Sequence, residues 1–197
     1  MTGMTRMGLR GARLIGPALM ALLAGCSSPP LATYDISAAP APRAALLSGI
    51  VVVTEPVAVG FLDADRIAIR ARGNAIAYMP GVQWPERLPK LMQARLIQSF
   101  ENARRGNVVG RPGERLTPAY QVNSEIRTFE AQEEAREVVV EITAKIVDDR
   151  SGRIVAASLF AARRPLDEIA GPAVAQALDR AAQDVMADIV RWAAGRV

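Results

Sequence analysis

From residue 49 onward the chain switches between two hydrophobic periods, and the switches mark its elements. Gly49 to Thr54 carries the unbroken β-branched run Ile50-Val51-Val52-Val53, the pattern of a strand buried on both faces, and Glu55-Pro56 ends it. Arg66 to Arg72 alternates, with Ile67, Ile69 and Ala71 on one side and Arg66, Ala68, Arg70 and Arg72 on the other. Gly73-Asn74 is a hairpin turn signal, so Ala75 to Met79 is expected to return beside it until Pro80-Gly81. The period then becomes helical. Leu88, Leu91, Met92, Leu96 and Phe100 share one face of a helix expected to open near Trp84-Pro85-Glu86 and to stop at Gly106.

Val108-Val109 reads as a short strand and Gly110 to Pro118 as loop. A three-strand meander is expected next. Tyr120, Val122 and Ile126 open its first strand, which runs to about Glu130 with a bulge where Phe129 breaks the alternation. Val138, Val140, Ile142, Ala144 and Ile146 line one face of the second strand; after the turn Asp149-Arg150-Ser151-Gly152 the third puts Ile154, Ala156 and Phe160 inward. Pro172 opens a last helix whose stripe of Val174, Leu178, Ala181, Val185, Ile189 and Trp192 is expected to pack on the protein's own sheet. The expected fold is a single α+β domain over residues 49–197. It has a mixed or mostly antiparallel sheet, with two amphipathic helices packed on one face.

The first 48 residues follow other rules. Arg6, Arg10 and Arg13 precede an apolar run from Leu14 to Leu23, and Leu23-Ala24-Gly25 leads into Cys26. A basic start, about ten apolar residues and a small-residue cleavage site make a secretory signal, too short for a bilayer core of roughly 20 residues. Residues 1–25 are therefore read as a cleaved signal, and Leu-Ala-Gly-Cys resembles the bacterial lipobox. What the lipobox implies is covalent diacylglycerol, with an N-acyl chain such as palmitate, on Cys26. Two or more chains hold a protein stably where one does not. Ser27 and Ser28 after the lipid site favour the outer over the inner membrane, by the sorting rule of enterobacterial lipoproteins. Residues 26–48, rich in Ala, Pro and Ser, read as a tether, with Tyr34-Asp35-Ile36 as a segment that docks on the domain.

Composition removes most chemistry. The chain has no histidine and one cysteine, which excludes Ser-His-Asp and Cys-His catalysis, the usual zinc sites and a disulfide. The formal charge of +4 includes the three arginines of the signal; the 172 residues from Cys26 carry 21 basic and 20 acidic side chains. Nothing in that balance calls for nucleic acid. Arginine outnumbers lysine by 22 to 2, which reads as codon usage rather than phosphate binding. Glu130, Glu133, Glu134, Glu137 and Glu141 lack the spacing of a calcium loop and read as a solvated hairpin tip. Gly106 to Gly110 lacks the Lys-Ser/Thr of a phosphate loop. The expectation is a protein without catalytic residues, metal or cofactor.

The order of motifs in the mature chain resembles the ABC-type transport auxiliary lipoproteins, the PqiC-like components that accompany MCE-type (mammalian cell entry) lipid transport systems. The resemblance rests on Tyr34-Asp35-Ile36, on Val53-Thr54-Glu55-Pro56, and on Leu62-Asp63 before the strand Arg66 to Arg70. Its most specific piece is Tyr78, then Trp84, then the amphipathic helix to Gln93. It implies a non-enzymatic component, anchored to a membrane and facing the periplasm, that engages an MCE-domain protein of an ABC transporter complex. Some members form rings, so a homo-oligomer is a further expectation. Competing readings are a periplasmic lipid carrier, and an activator or assembly factor for a cell-wall enzyme or outer-membrane protein.

Partner contact is assigned to Tyr78 and Trp84, as aromatic anchors, and to Arg66, Arg70 and Arg72, as a basic strand face for an acidic partner or lipid phosphates. The plainer alternatives are a Trp84 ring packed on its own helix and an ordinary solvated sheet face.

Overall fold

A computed structural model describes residues 30–40, 44–45, 47–103 and 108–197. The signal, Cys26, Ser27, Ser28 and Gly106 lie outside the described residues. Nine strands are described: β1 (Ala32–Thr33), β2 (Val51–Val53), β3 (Val57–Ala58), β4 (Arg66–Arg70), β5 (Ile76–Gln83), β6 (Val109–Gly110), β7 (Tyr120–Gln132), β8 (Glu137–Asp148) and β9 (Ile154–Pro165). Two helices accompany them, α1 (Leu88–Ala103) and α2 (Gly171–Ala194).

β7 is the spine of a mixed sheet. Along one side it pairs antiparallel with β8 over its full length, and β8 pairs antiparallel with β9. Its other side receives β2, β3 and β4 in succession, all parallel, at Tyr120 to Val122, at Glu125-Ile126 and at Glu130 to Gln132. β5 joins β4 antiparallel, and β1 and β6 add parallel at the margins. The expected α+β class is what the chain adopts. The bulge expected near Phe129 is present as a register shift between Ile126 and Thr128. It returns Phe129 to the core side after an odd step, and so keeps two apolar runs of β7 on one face.

α2 packs over β8, β9 and β5, and α1 packs on α2 and against β2 and β6. The α2 stripe is self-packed as expected, with Val174, Leu178, Ala181, Val185 and Ile189 fully buried. Each such valine, leucine or isoleucine contributes about 1.5–3 kcal/mol. Trp192 is half-buried and meets Phe160 of β9 edge to face, ring centroids 5.4 Å apart. Gly171 lets the helix start touch the sheet: a Cβ there would lie 2.6 Å from Cγ1 of Val82.

Four expectations need correction. The folded unit begins at Leu31, not at residue 49. Of the expected tether, residues 31–40 belong to the fold. β1 adds to β5, Ile36 and Ala39 are fully buried, the Ala39 N–H donates to Ser99 Oγ at 2.9 Å, and Arg95 pairs with Asp35 at 2.5 Å. The docking expected of Tyr34-Asp35-Ile36 is thus seen, and it extends to both sides. β5 runs on through Pro80-Gly81 to Gln83, because Gly81 takes φ +75° and the strand bulges rather than stops. α1 opens at Leu88, four residues late; the N–H groups of Trp84 and Leu88 are instead bound to Asp65 O and Ala64 O. Ile154 points outward: a register shift between Ile146 and Val147 turns it away from the helices.

The turn between β8 and β9 carries its own pH dependence. Asp148 Oδ1 accepts hydrogen bonds from the Ser151 N–H at 2.8 Å and from its hydroxyl at 2.6 Å. These bonds, first the hydroxyl's, hold the Asp148 carboxyl below its ordinary value of 3.8. A lowered folded pKa means that the turn's contribution is complete above that ordinary value and is lost as pH falls through the lowered one. Ser151→Ala is expected to raise the Asp148 pKa toward the ordinary value in a carboxyl-detected NMR titration. An unchanged midpoint would show that the serine does not set it.

Candidate partner-binding site

The Gly73-Asn74 turn sets this region. Both residues take positive φ, 67° and 65°, and the Ala71 N–H bonds Ala75 O at 2.8 Å, which folds β5 back on β4. Ala68 then faces Tyr78 and Arg70 faces Ile76. Ile67 and Ala68 are buried in the core, while Arg66 and Arg70 remain partly exposed beside Tyr78 and Ile76.

Two of the five predicted contact residues meet there, a half-buried Arg66 and an exposed Tyr78. The Arg66 guanidinium lies over the Tyr78 ring, 5.4 Å from its centroid, and Tyr78 Oη donates to Phe61 O at 3.2 Å. Tyr78 remains 38% exposed, and Ile76 beside it is exposed as well. Arg66 forms no ion pair among the described residues, and its Nε is buried without a hydrogen-bond partner. The electron-rich face of the Tyr78 ring attracts the guanidinium charge.

The other three are used differently. Trp84 is 1% exposed and meets Phe129 of β7 edge to face at 6.0 Å, so it is a core residue. The predicted partner contact does not describe it. Arg70 is committed to Glu130 through two bonds, Nε to Oε1 at 2.5 Å and Nη2 to Oε2 at 3.0 Å, and its Nη1 holds Asn74 Oδ1 at 2.6 Å. Arg72 sits in the turn, 83% exposed, with Glu133 at 3.6 Å.

The acidic cluster is correspondingly not a solvated tip. Only Glu133 and Glu134 lie in the β7–β8 turn, where they accept the N–H groups of Arg72 and Gly73. Glu130 is 1% exposed under Arg70, and Arg163 of β9 bridges Glu137 at 2.6 Å and Glu141 at 3.5 Å. Glutamates and arginines that are distant in sequence are cross-strand neighbours, which a one-dimensional charge count does not register. Arg87 acts likewise, bonded to Asp63 and 3.3 Å from Glu55. The Asp63 hydrogen bond raises the Arg87 pKa. Among the described residues no group of three or more His, Cys, Asp or Glu side chains is placed to hold a metal ion. The clefts beside the site are open and charged, as between Arg72, Glu133, Glu134, Arg136 and Ile169.

The family model described as ABC-type transport auxiliary lipoprotein component matches residues 31–190. An uncharacterized protein of Bradyrhizobium diazoefficiens is 31% identical over 163 residues, covering 81% of this chain and 44% of its own length. The chain therefore spans less than half of that relative. The crystal structure of protein XCC0632 from Xanthomonas campestris superposes with a TM-score of 0.76 at 22% identity, over 83% of this chain and 94% of that one. A second crystal structure, of an uncharacterized protein, gives 0.67 at 13% identity over 83% and 98%. Both likenesses are of fold.

Proposed function

Because the chain belongs to the family of ABC-type transport auxiliary lipoprotein components, we propose that it is a non-catalytic coupling subunit of an MCE-type lipid transport system. Lipid on Cys26 would hold it to a membrane, the outer one on the evidence of Ser27 and Ser28, with the folded unit facing the periplasm. The family match over residues 31–190 carries the proposal. The patch of exposed Tyr78 and Ile76 with the Arg66 guanidinium over the ring supports it, since aromatics and arginine are residue types that dominate protein contacts. In this reading an ATPase and permease elsewhere supply energy and selectivity, and this chain supplies position: it binds the periplasmic MCE assembly and fixes it near a membrane. A ring of copies around that assembly is part of the proposal.

Two arms test it in cells. Metabolic labelling with an alkyne palmitate is expected to mark the wild-type chain and to leave Cys26→Ala unmarked. Phospholipid exchange between the two membranes, measured in cells deleted for the chain, is expected to fall and to be restored by the wild type but not by Cys26→Ala. Exchange that is unaffected by deletion would contradict the coupling role.

A further inference from the structure

β9 forms a free edge of the sheet. Among the described residues β9 pairs with β8 and has no strand on its other side. In an antiparallel pair every second residue turns its N–H and C=O away from the partner, so β9 offers a row of open backbone groups. Edge strands are ordinarily blunted by lysine, proline, a bulge or shortness. β9 is 12 residues long; its register shift is confined to its start, at Ile154-Val155, and from Ala156 to Ala162 it holds no bulge, no charge and no proline. Its outward side chains are apolar: Ile154 is 59% exposed, Val155 47% and Leu159 52%, with Ala157 and Ala161 exposed between and beyond them.

Charge decides the occupant. Arg150 and Arg153 stand at one end of the strand and Arg163 and Arg164 at the other, and Lys145 on β8 lies opposite Ala157 on the same outer side. Arg163 and Arg164 have acidic partners, whereas Arg150, Arg153 and Lys145 form no ion pair among the described residues, the two arginines being only within longer electrostatic reach of Asp148 in their turn. A second copy docked antiparallel would bring arginine ends against arginine ends, with no acid within β9 itself to answer them, and like charges across a strand pair destabilise it. We propose that the outer edge of β9 docks an extended segment of a partner protein as an added strand, apolar at alternate positions and acidic at both ends. Backbone ladder bonds give such a contact its affinity, and the apolar and charged side chains give it its selectivity. The proposal does not depend on which envelope complex supplies the segment.

The test uses full-length protein in detergent and two fluorescein-labelled peptides. In one, valines alternate with threonines between paired aspartates at each end; in the other, lysines replace the aspartates. Fluorescence anisotropy is expected to show the acid-flanked peptide binding at least about tenfold tighter at low ionic strength. That preference should shrink as salt shortens the Debye length from about 10 Å to about 3 Å. Leu159→Asp should abolish binding, and Arg150→Glu with Arg153→Glu should shift the preference toward the lysine peptide. All three positions are exposed, and circular dichroism checks that the variants fold. Equal binding of the two peptides, no binding of either, or a preference untouched by charge reversal would overturn the proposal. So would an oligomer that Leu159→Asp converts to monomer, since the edge would then hold a second copy.

Discussion

Trp84→Ala is expected to cost about 4 kcal/mol of folding stability, the range found when a buried tryptophan or phenylalanine is truncated. For a unit of this size that is a fall of roughly 10 °C in Tm, read by calorimetry or thermal circular dichroism. The argument is geometric. Trp84 is fully buried, its ring meets Phe129 of β7, and its N–H is fixed to Asp65 O at 2.7 Å. It therefore joins the end of β5 and the entry of α1 to the spine of the sheet. A loss below about 1 kcal/mol would mean that the ring is not packed as described. If instead partner binding were lost while stability held, Trp84 would be the contact residue that its sequence context implies.

The second large effect is at the Arg70–Glu130 pair. Removing one member of a buried ion pair strands the other, at a cost of about 3–5 kcal/mol for fully enclosed pairs. Arg70 is about one-third exposed while Glu130 is 1% exposed, so Arg70→Ala is expected near the low end, about 2–3 kcal/mol, in urea unfolding. The double variant Arg70→Met with Glu130→Leu removes both charges and should recover most of the loss, because well-packed apolar replacements of such pairs are often neutral. A double variant no more stable than Arg70→Ala would show that the site needs its charges for more than mutual compensation.

These two residues also show how far the sequence could be read. Sequence context points both Arg70 and Trp84 to a partner surface, since arginine and tryptophan are the residue types enriched there. What separates Arg70 from Arg66 is a carboxylate 60 residues away, brought alongside by the parallel pairing of β4 with β7. Strand order between distant segments leaves no local trace, and so the glutamates and arginines could not be matched in advance. Local rules worked where local forces decide. The turn at Gly73-Asn74, the buried run Val51 to Val53, the bulge before Phe129 and the apolar stripe of α2 each follow from backbone freedom or periodicity. Residues 31–40 were legible only in part: their Ala and Pro content describes a tether, yet Ile36 and Ala39 fill holes whose shape depends on α1 and α2. Of the candidate contacts, Arg66 and Tyr78 stand together as a stacked pair with Tyr78 exposed, and whether they meet a partner is for binding experiments to decide.

The most direct test of the coupling role is a mild-detergent pull-down of C-terminally tagged protein from its native membranes, with mass spectrometry of the bound proteins and Cys26→Ala in parallel. The account predicts an MCE-domain protein with its permease and ATPase in the wild-type eluate, and their loss with Cys26→Ala. A cell-wall synthase or an outer-membrane barrel protein in their place would contradict it.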